Sequence, residues 1–261
     1  MLRFSLLRDV QESRRYLRGL LYLALSDLRG RYQRSVLGPL WLTLGTVVAA
    51  VGLSAIWSEL MHKDMREFLP TLIVGLILWQ FISGVLSEAP TLFIRQVALI
   101  RNMNLPLTIY PLQLLFRHLL NLLHYVPALL LMMLFIDIPI SSTALLAIPG
   151  LLLSTLNLLW IALLLGLVGA RFRDVDYLVA TAMPIMMLLS PVFYRPDFLP
   201  FSEHLIWLNP ISYLIEIVRY PLLGIPVPGF LIWTSLAFFF FGNVVTLWLF
   251  QLKRHRIAFW V

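Results

Sequence analysis

The sequence predicts an all-α integral membrane protein. Six transmembrane helices are expected, with an N-terminal cytoplasmic amphipathic interface helix before them and a re-entrant pair of short helices before the last span. Three observations carry this. Hydrophobic residues make up 60% of the chain, against roughly 45–50% in soluble domains. Apolar runs of about 20 residues, the length that crosses a bilayer, recur along the chain. Charged residues are only 13% of the total and gather between those runs, and the mean hydropathy is +0.87.

Residues 1–35 form the arm. It carries Arg3, Arg8, Arg14, Arg15, Arg18, Arg29, Arg31 and Arg34, while Leu17, Leu20, Leu21, Ala24, Leu25 and Leu28 recur at helical spacing on one face. This is the pattern of a helix lying on the cytoplasmic leaflet; a helix packed on a partner protein has the same periodicity. Its apolar run is broken by Arg18 and Asp27 and lacks a small-residue cleavage site, so it is not a cleavable signal peptide. The arm meets the membrane at Arg31–Trp41. There the arginines mark a water-facing edge, Gly38 and Pro39 break the backbone rhythm, and Trp41 suits headgroup depth.

Residues 36–261 are the transmembrane domain. The first span is expected over 36–58 and the second over 68–87, joined by a short charged loop. A segment over 89–104 follows, opened by Pro90, weakly amphipathic and anchored by Arg95 and Arg101; it is expected to be a cytoplasmic helix. The third span lies within 107–136, longer than a bilayer needs, so its first third is placed in the cytoplasm or the interface. The fourth is expected over 142–170 and the fifth over 177–194, separated by the charged turn 171–176. Between 195 and 229, Ser202 and Asn209-Pro210 each read as a helix start, giving short amphipathic helices over 203–208 and 211–222. They are too short to span and suit a re-entrant pair. The last span is expected over 230–252, ahead of the basic tail Lys253-Arg254-His255-Arg256.

Charge sets the orientation. The arm, Arg95, Arg101, Arg117, Arg171, Arg173 and the tail fall on one side; Lys63, Arg66, Arg195 and Arg219 fall on the other. Basic residues favour the cytoplasm, which places both termini there. The net charge of +7 therefore marks sidedness, and no basic groove with stacking aromatics points to nucleic acid.

Chemistry is sparse. No G-x-x-x-x-G-K-[ST] loop exists to cradle nucleotide phosphates. There is no cysteine, and His118 and His124, six apart, face different ways on a helix, so no metal site is expected. Gly52-Leu53-Ser54-Ala55 has the small-residue setting of a serine nucleophile, but small residues also let membrane helices approach. The carboxylate chain of a proton relay is missing, so energy is expected from a partner. Trp41, Trp57, Phe193 and Tyr194 stand near span ends, where aromatics form an interfacial belt or stack on sugar rings.

The order of parts resembles the permease subunit of bacterial ABC exporters of polysaccharide, the type-two export class of O-antigen, capsule and teichoic-acid exporters. The matching residues are Arg31-Tyr32-x-x-Ser35-x-Leu37-Gly38-x-x-Trp41, Arg101-Asn102-x-x-Leu105-Pro106, Arg171-Phe172-Arg173-Asp174, Ser190-Pro191-Val192 and Asn209-Pro210. The resemblance implies a homodimer of permeases bound to two ATPase subunits in the bacterial inner membrane, with ATP and magnesium on the partner and no cofactor on this chain. It implies a lipid-linked glycan moving along a channel lined by the first and fifth spans. It implies ATPase coupling through 89–104, with Arg95, Arg101 and Asn102 as contacts. Arg14, Arg15, Arg18 and Arg29 then become candidates for the lipid pyrophosphate, since Arg pairs with phosphate through a planar fork. Trp41, Trp57, Phe193 and Tyr194 become channel candidates, and Asn209 and Pro210 the outer gate. The short tail leads us to expect no glycan-binding domain on this chain. The resemblance favours O-antigen over capsule and teichoic acid; a drug or small-lipid exporter, a secondary transporter and an intramembrane enzyme are the alternatives.

Overall fold

The computed structural model describes residues 19, 22, 24–26, 30, 33, 35–38, 40–62, 64–103, 105–135, 142–196 and 203–261. Among them there are helices and turns and no strand. The long elements are α1 (Leu40–Met61), α2 (Met65–Glu88), α6 (Ala147–Arg171) and α10 (Gly229–Trp260). The remainder are α3 (Val97–Asn102), α4 (Ile109–Leu123), α5 (Val126–Phe135), α7 (Asp174–Leu189), α8 (Glu203–Leu208) and α9 (Pro210–Leu222), with 3₁₀ turns at Ala89–Thr91 and Ser142–Leu146.

Four stretches among the described residues are long and apolar enough to cross a membrane: Leu40–Leu60, Phe68–Thr91, Ser142–Arg171 and Gly229–Trp260. The protein is therefore a multi-pass helical membrane protein. α2 is its axis, mostly buried by α1, α4, α6, α7 and α9, whereas α1 and α10 show most of their surface outward. Phe68, Leu72, Ile82 and Val85 of α2, all but inaccessible, anchor the core.

The expected third span is two helices rather than one. Proline at 127 lacks an N–H, and its ring would strike the carbonyl of residue 123, so the α4 ladder stops and a new helix starts with proline in its first turn. The break frees the His124 carbonyl, and Thr43 Oγ1 of α1 donates to it at 2.5 Å. A second helix thus satisfies a backbone group that lipid would not. The expected fifth span is the 16-residue α7, closed where Ser190 turns extended ahead of Pro191. Segment 89–104 is also divided among its described residues: a 3₁₀ turn, a run of hydrogen-bonded turns over 92–96 and the six-residue α3.

Candidate functional site

Two ends of the bundle concentrate polar side chains. At the first, α2 ends in Glu88. Its carboxylate accepts from Arg95 Nη1 at 3.0 Å and from Arg117 Nη2 of α4, and its Oε1 stands 3.4 Å from His118 Nε2. Gly84, one turn earlier, makes room: a Cβ there would lie 2.6 Å from His118 Cε1. The chain then turns across α6 on two more glycines. A Cβ on Gly169 would come within 2.8 Å of the Pro90 backbone, and one on Gly166 would press Leu92 and Phe93 at 3.1–3.2 Å. Phe93 meets the Tyr110 ring edge-on, with centroids 6.1 Å apart. Residues 89–93 are thereby fixed to α6 and α4.

α3 turns Ile100 inward and leaves Ala98, Arg101, Asn102 and the following Met103 exposed. Arg101 Nη2 donates to the Val261 carbonyl at 2.6 Å, joining α3 to the end of α10. Arg171 lies over the Trp260 ring at 5.7 Å and over Phe172 at 5.8 Å. Residues 88–103, the α6–α7 turn and the last turn of α10 therefore form one continuous face.

The second end is built on α9. The Asn209 side chain accepts from Ile211 N at 3.0 Å, capping α9, and donates to Ser190 Oγ at 2.8 Å, tying α9 to the end of α7. Pro210 occupies the first helical turn, where no N–H is needed. Ser154 Oγ of α6 donates to the Leu214 carbonyl at 2.9 Å, and a Cβ on Gly150 would collide with the Ile217 carbonyl, so α9 lies directly on α6. Glu216 and Arg219 are fully buried and paired, and Arg219 Nη2 also donates to the Tyr194 carbonyl at 2.9 Å. Gly75 of α2 leaves the space for this: its Cβ would sit 3.2 Å from Arg219 Nη1.

Of the other expected residues, Tyr194 meets the α9 end through its carbonyl, which accepts from Arg219. Trp41 is exposed near the start of α1, and Trp57 is half-buried four turns on. Phe193 and Tyr194 are half-buried beyond α7. Arg14, Arg15, Arg18 and Arg29 lie outside the described residues. Ser54 donates to the Met65 carbonyl at 3.3 Å, about 16 Å along α1 from Thr43, the residue that meets His124. That separation assembles no nucleophile with its base. Among the described residues no three His, Cys, Asp or Glu side chains cluster as metal ligands.

Sequence reasoning missed both ionic clusters. Glu216-x-x-Arg219 carried a signal, an acid and a base three apart on an apolar helix. Glu88 and Arg117 are 29 residues apart and carried none.

The ABC-2 type transporter family model matches residues 19–223. Two similar relatives, both named O-antigen export system permease protein RfbA from Klebsiella pneumoniae, are 23% and 24% identical over 193 residues, which is 72% of this chain and 74% of theirs.

Proposed function

The chain belongs to the ABC-2 type transporter family, and on that premise we propose that it is the channel-forming permease subunit of an ATP-driven exporter of lipid-linked polysaccharide, most closely of O-antigen type. The single observation that supports coupling to a motor is the face at Glu88. There residues 89–93 are packed on α6 by glycine contacts, the short helix α3 buries Ile100, and Arg95, Arg101 and Asn102 are exposed. A packed segment with exposed polar side chains can transmit force from a partner; a loose loop dissipates it. The partner would be an ATPase subunit holding ATP and magnesium, in a complex of two permeases and two ATPases. The similarity to permeases named for O-antigen export favours that substrate over capsule, teichoic acid, drugs or small lipids.

In this reading the chain crosses the bacterial inner membrane six times. α4 and α5 together, 109–135, rise about 40 Å and serve as one broken crossing; α7 rises about 24 Å and is completed by the chain beyond it. Both termini and the Glu88 end are cytoplasmic, with the arm at the leaflet surface, where Arg14, Arg15, Arg18 and Arg29 meet the pyrophosphate. α1 and α7 present long apolar faces, including Leu44 and Val48 on one and Leu178 and Ile185 on the other, and would meet a second copy around the channel. Trp41, Trp57, Phe193 and Tyr194 would offer weak stacking sites, and α8–α9, started by Asn209 and Pro210, would gate the outer side.

The test is purification of the tagged full chain in mild detergent, with partners counted by mass spectrometry, beside deletion of the chain in cells. Recovery of an ATPase at one per permease and loss of surface glycan on deletion is the expected result. A folded, dimeric chain without an ATPase, or unchanged surface glycan, overturns the reading.

A further inference from the structure

A cavity opens at the Glu88 end. It is about 220 Å³, lies between α1, α2 and α4, and is lined by Gln80, Gly84, Glu88, His118, Asn121 and Tyr125, with Leu42 of α1 at its edge. Gln80 and Glu88 are eight residues apart on α2, so the cavity runs about 12 Å from the end of that helix into the depth of the membrane. Its neighbours on α2 and α4 are apolar: Phe81 and Leu122 complete the wall.

Polar groups at this depth are costly unless each has a partner. Here one does not. Asn121 Oδ1 is inaccessible and makes no hydrogen bond, while His118, 7% exposed, stands with Nε2 3.4 Å from Glu88 Oε1. Gly84 is what lets the His118 ring lie at the cavity wall, since any Cβ would displace it. A polar occupant would satisfy the Asn121 oxygen.

Charge narrows the occupant. Glu88 separates this cavity from a smaller one of about 40 Å³ that contains Arg95 and Arg117. Both arginines bind the carboxylate from that side, and no lysine or arginine lines the larger cavity. An anion such as a phosphate finds no counter-charge in the larger cavity, and a cation would compete with two arginines for Glu88. Amide, imidazole, carboxylate and phenol groups against an aromatic ring suit a neutral, many-hydroxyl ligand. The volume is about seven times the roughly 30 Å³ share of one water, the scale of a single sugar ring.

We propose that the Gln80–Asn121 cavity binds one sugar ring of the lipid-linked glycan at cytoplasmic-leaflet depth, beside α1 and ahead of the channel. Asn121 Oδ1 accepts from a ring hydroxyl, and the Gln80 amide and the His118 ring complete the hydrogen bonds. Phe81 supplies the apolar wall. The proposal rests on the glycan-export reading.

The test uses the full chain in lipid nanodiscs with p-benzoylphenylalanine in place of Leu42, or in place of lipid-facing Phe240 as a control. The probes are a tritiated polyprenyl-pyrophosphate hexosamine and the same lipid without the sugar. Light-induced labelling at position 42 is expected to be saturable and to favour the sugar-bearing lipid by about tenfold, with none of this preference at position 240. Asn121→Leu and Gln80→Leu should each lower it by about three- to tenfold, the worth of one lost hydrogen bond. Because Gln80 is exposed, Gln80→Leu reports on the site even if Asn121→Leu unfolds. Equal labelling by the two lipids, no labelling at position 42, or labelling indifferent to Gln80→Leu overturns the proposal. Failure of the exporter reading would appear separately, as unchanged surface glycan on deletion of the chain.

Discussion

The two ends of the bundle use the same chemistry to opposite effect. At the Glu88 end, a carboxylate binds arginines from α4 and from the bend after α2, and the Arg95 side chain keeps 54% of its surface exposed. At the α9 end, Glu216 and Arg219 pair within one helix and neither is exposed at all. An ion pair left partly in water costs little to form and yields little stability. A fully buried pair is costly to create and costlier to break, because removing one member strands the other. The first end keeps Arg95 in water beside the largely buried Glu88 and Arg117; the second is a fixed joint between α9, the end of α7 and α2.

The largest expected effect comes from breaking the joint. Arg219→Met should lower stability by about 3–5 kcal/mol by removing the buried cation paired with the Glu216 carboxylate, read as a fall in the detergent melting temperature. Adding Glu216→Leu should recover most of that loss; if the double variant is no better than the single, the pair is not what holds α9.

A backbone change at the other end comes next. Gly169→Leu drives a side chain into the Pro90 backbone and should cost about 1–3 kcal/mol by overpacking. It should also abolish ATPase co-purification by displacing residues 89–103. Retention of the ATPase would show that the packing of residues 89–93 on α6 does not position the partner face.

Asn209→Ala removes both the cap of α9 and the tie to Ser190. About 0.5–2 kcal/mol should be lost, less than at Arg219, by the same melting assay.

The smallest effect on stability is expected for Arg95→Ala, about 0–1 kcal/mol. It should nonetheless weaken ATPase co-purification more than Asn209→Ala does. The reverse order would erase the distinction between surface and joint.

Much of the architecture was legible because lipid imposes simple rules on sequence. The long helices α1, α2, α6 and α10 arise from apolar runs that no soluble fold needs. Asn209-Pro210 announced the start of α9, since a cap and a first-turn proline act within a few residues. Proline at 127 was equally visible and splits the third span, but that Thr43 takes the freed carbonyl was not, because the two are 81 residues apart. Arg95, Arg101 and Asn102 were expected as contacts from resemblance; that Arg101 reaches the Val261 carbonyl was not legible, because the partners are 160 residues apart.

By itself, then, the sequence determined that this is a multi-pass helical membrane protein, where its long helices run, and which of its turns carry charge. Those properties follow from hydropathy, helix caps and proline, all of which act locally. Tertiary structure decided which charges meet. Glu88 joins Arg117 and His118, Glu216 and Arg219 are sealed between helices, and Gly75, Gly84 and Gly169 become essential spaces. Helix packing brings such groups together across long stretches of chain, and no local pattern records which faces will touch.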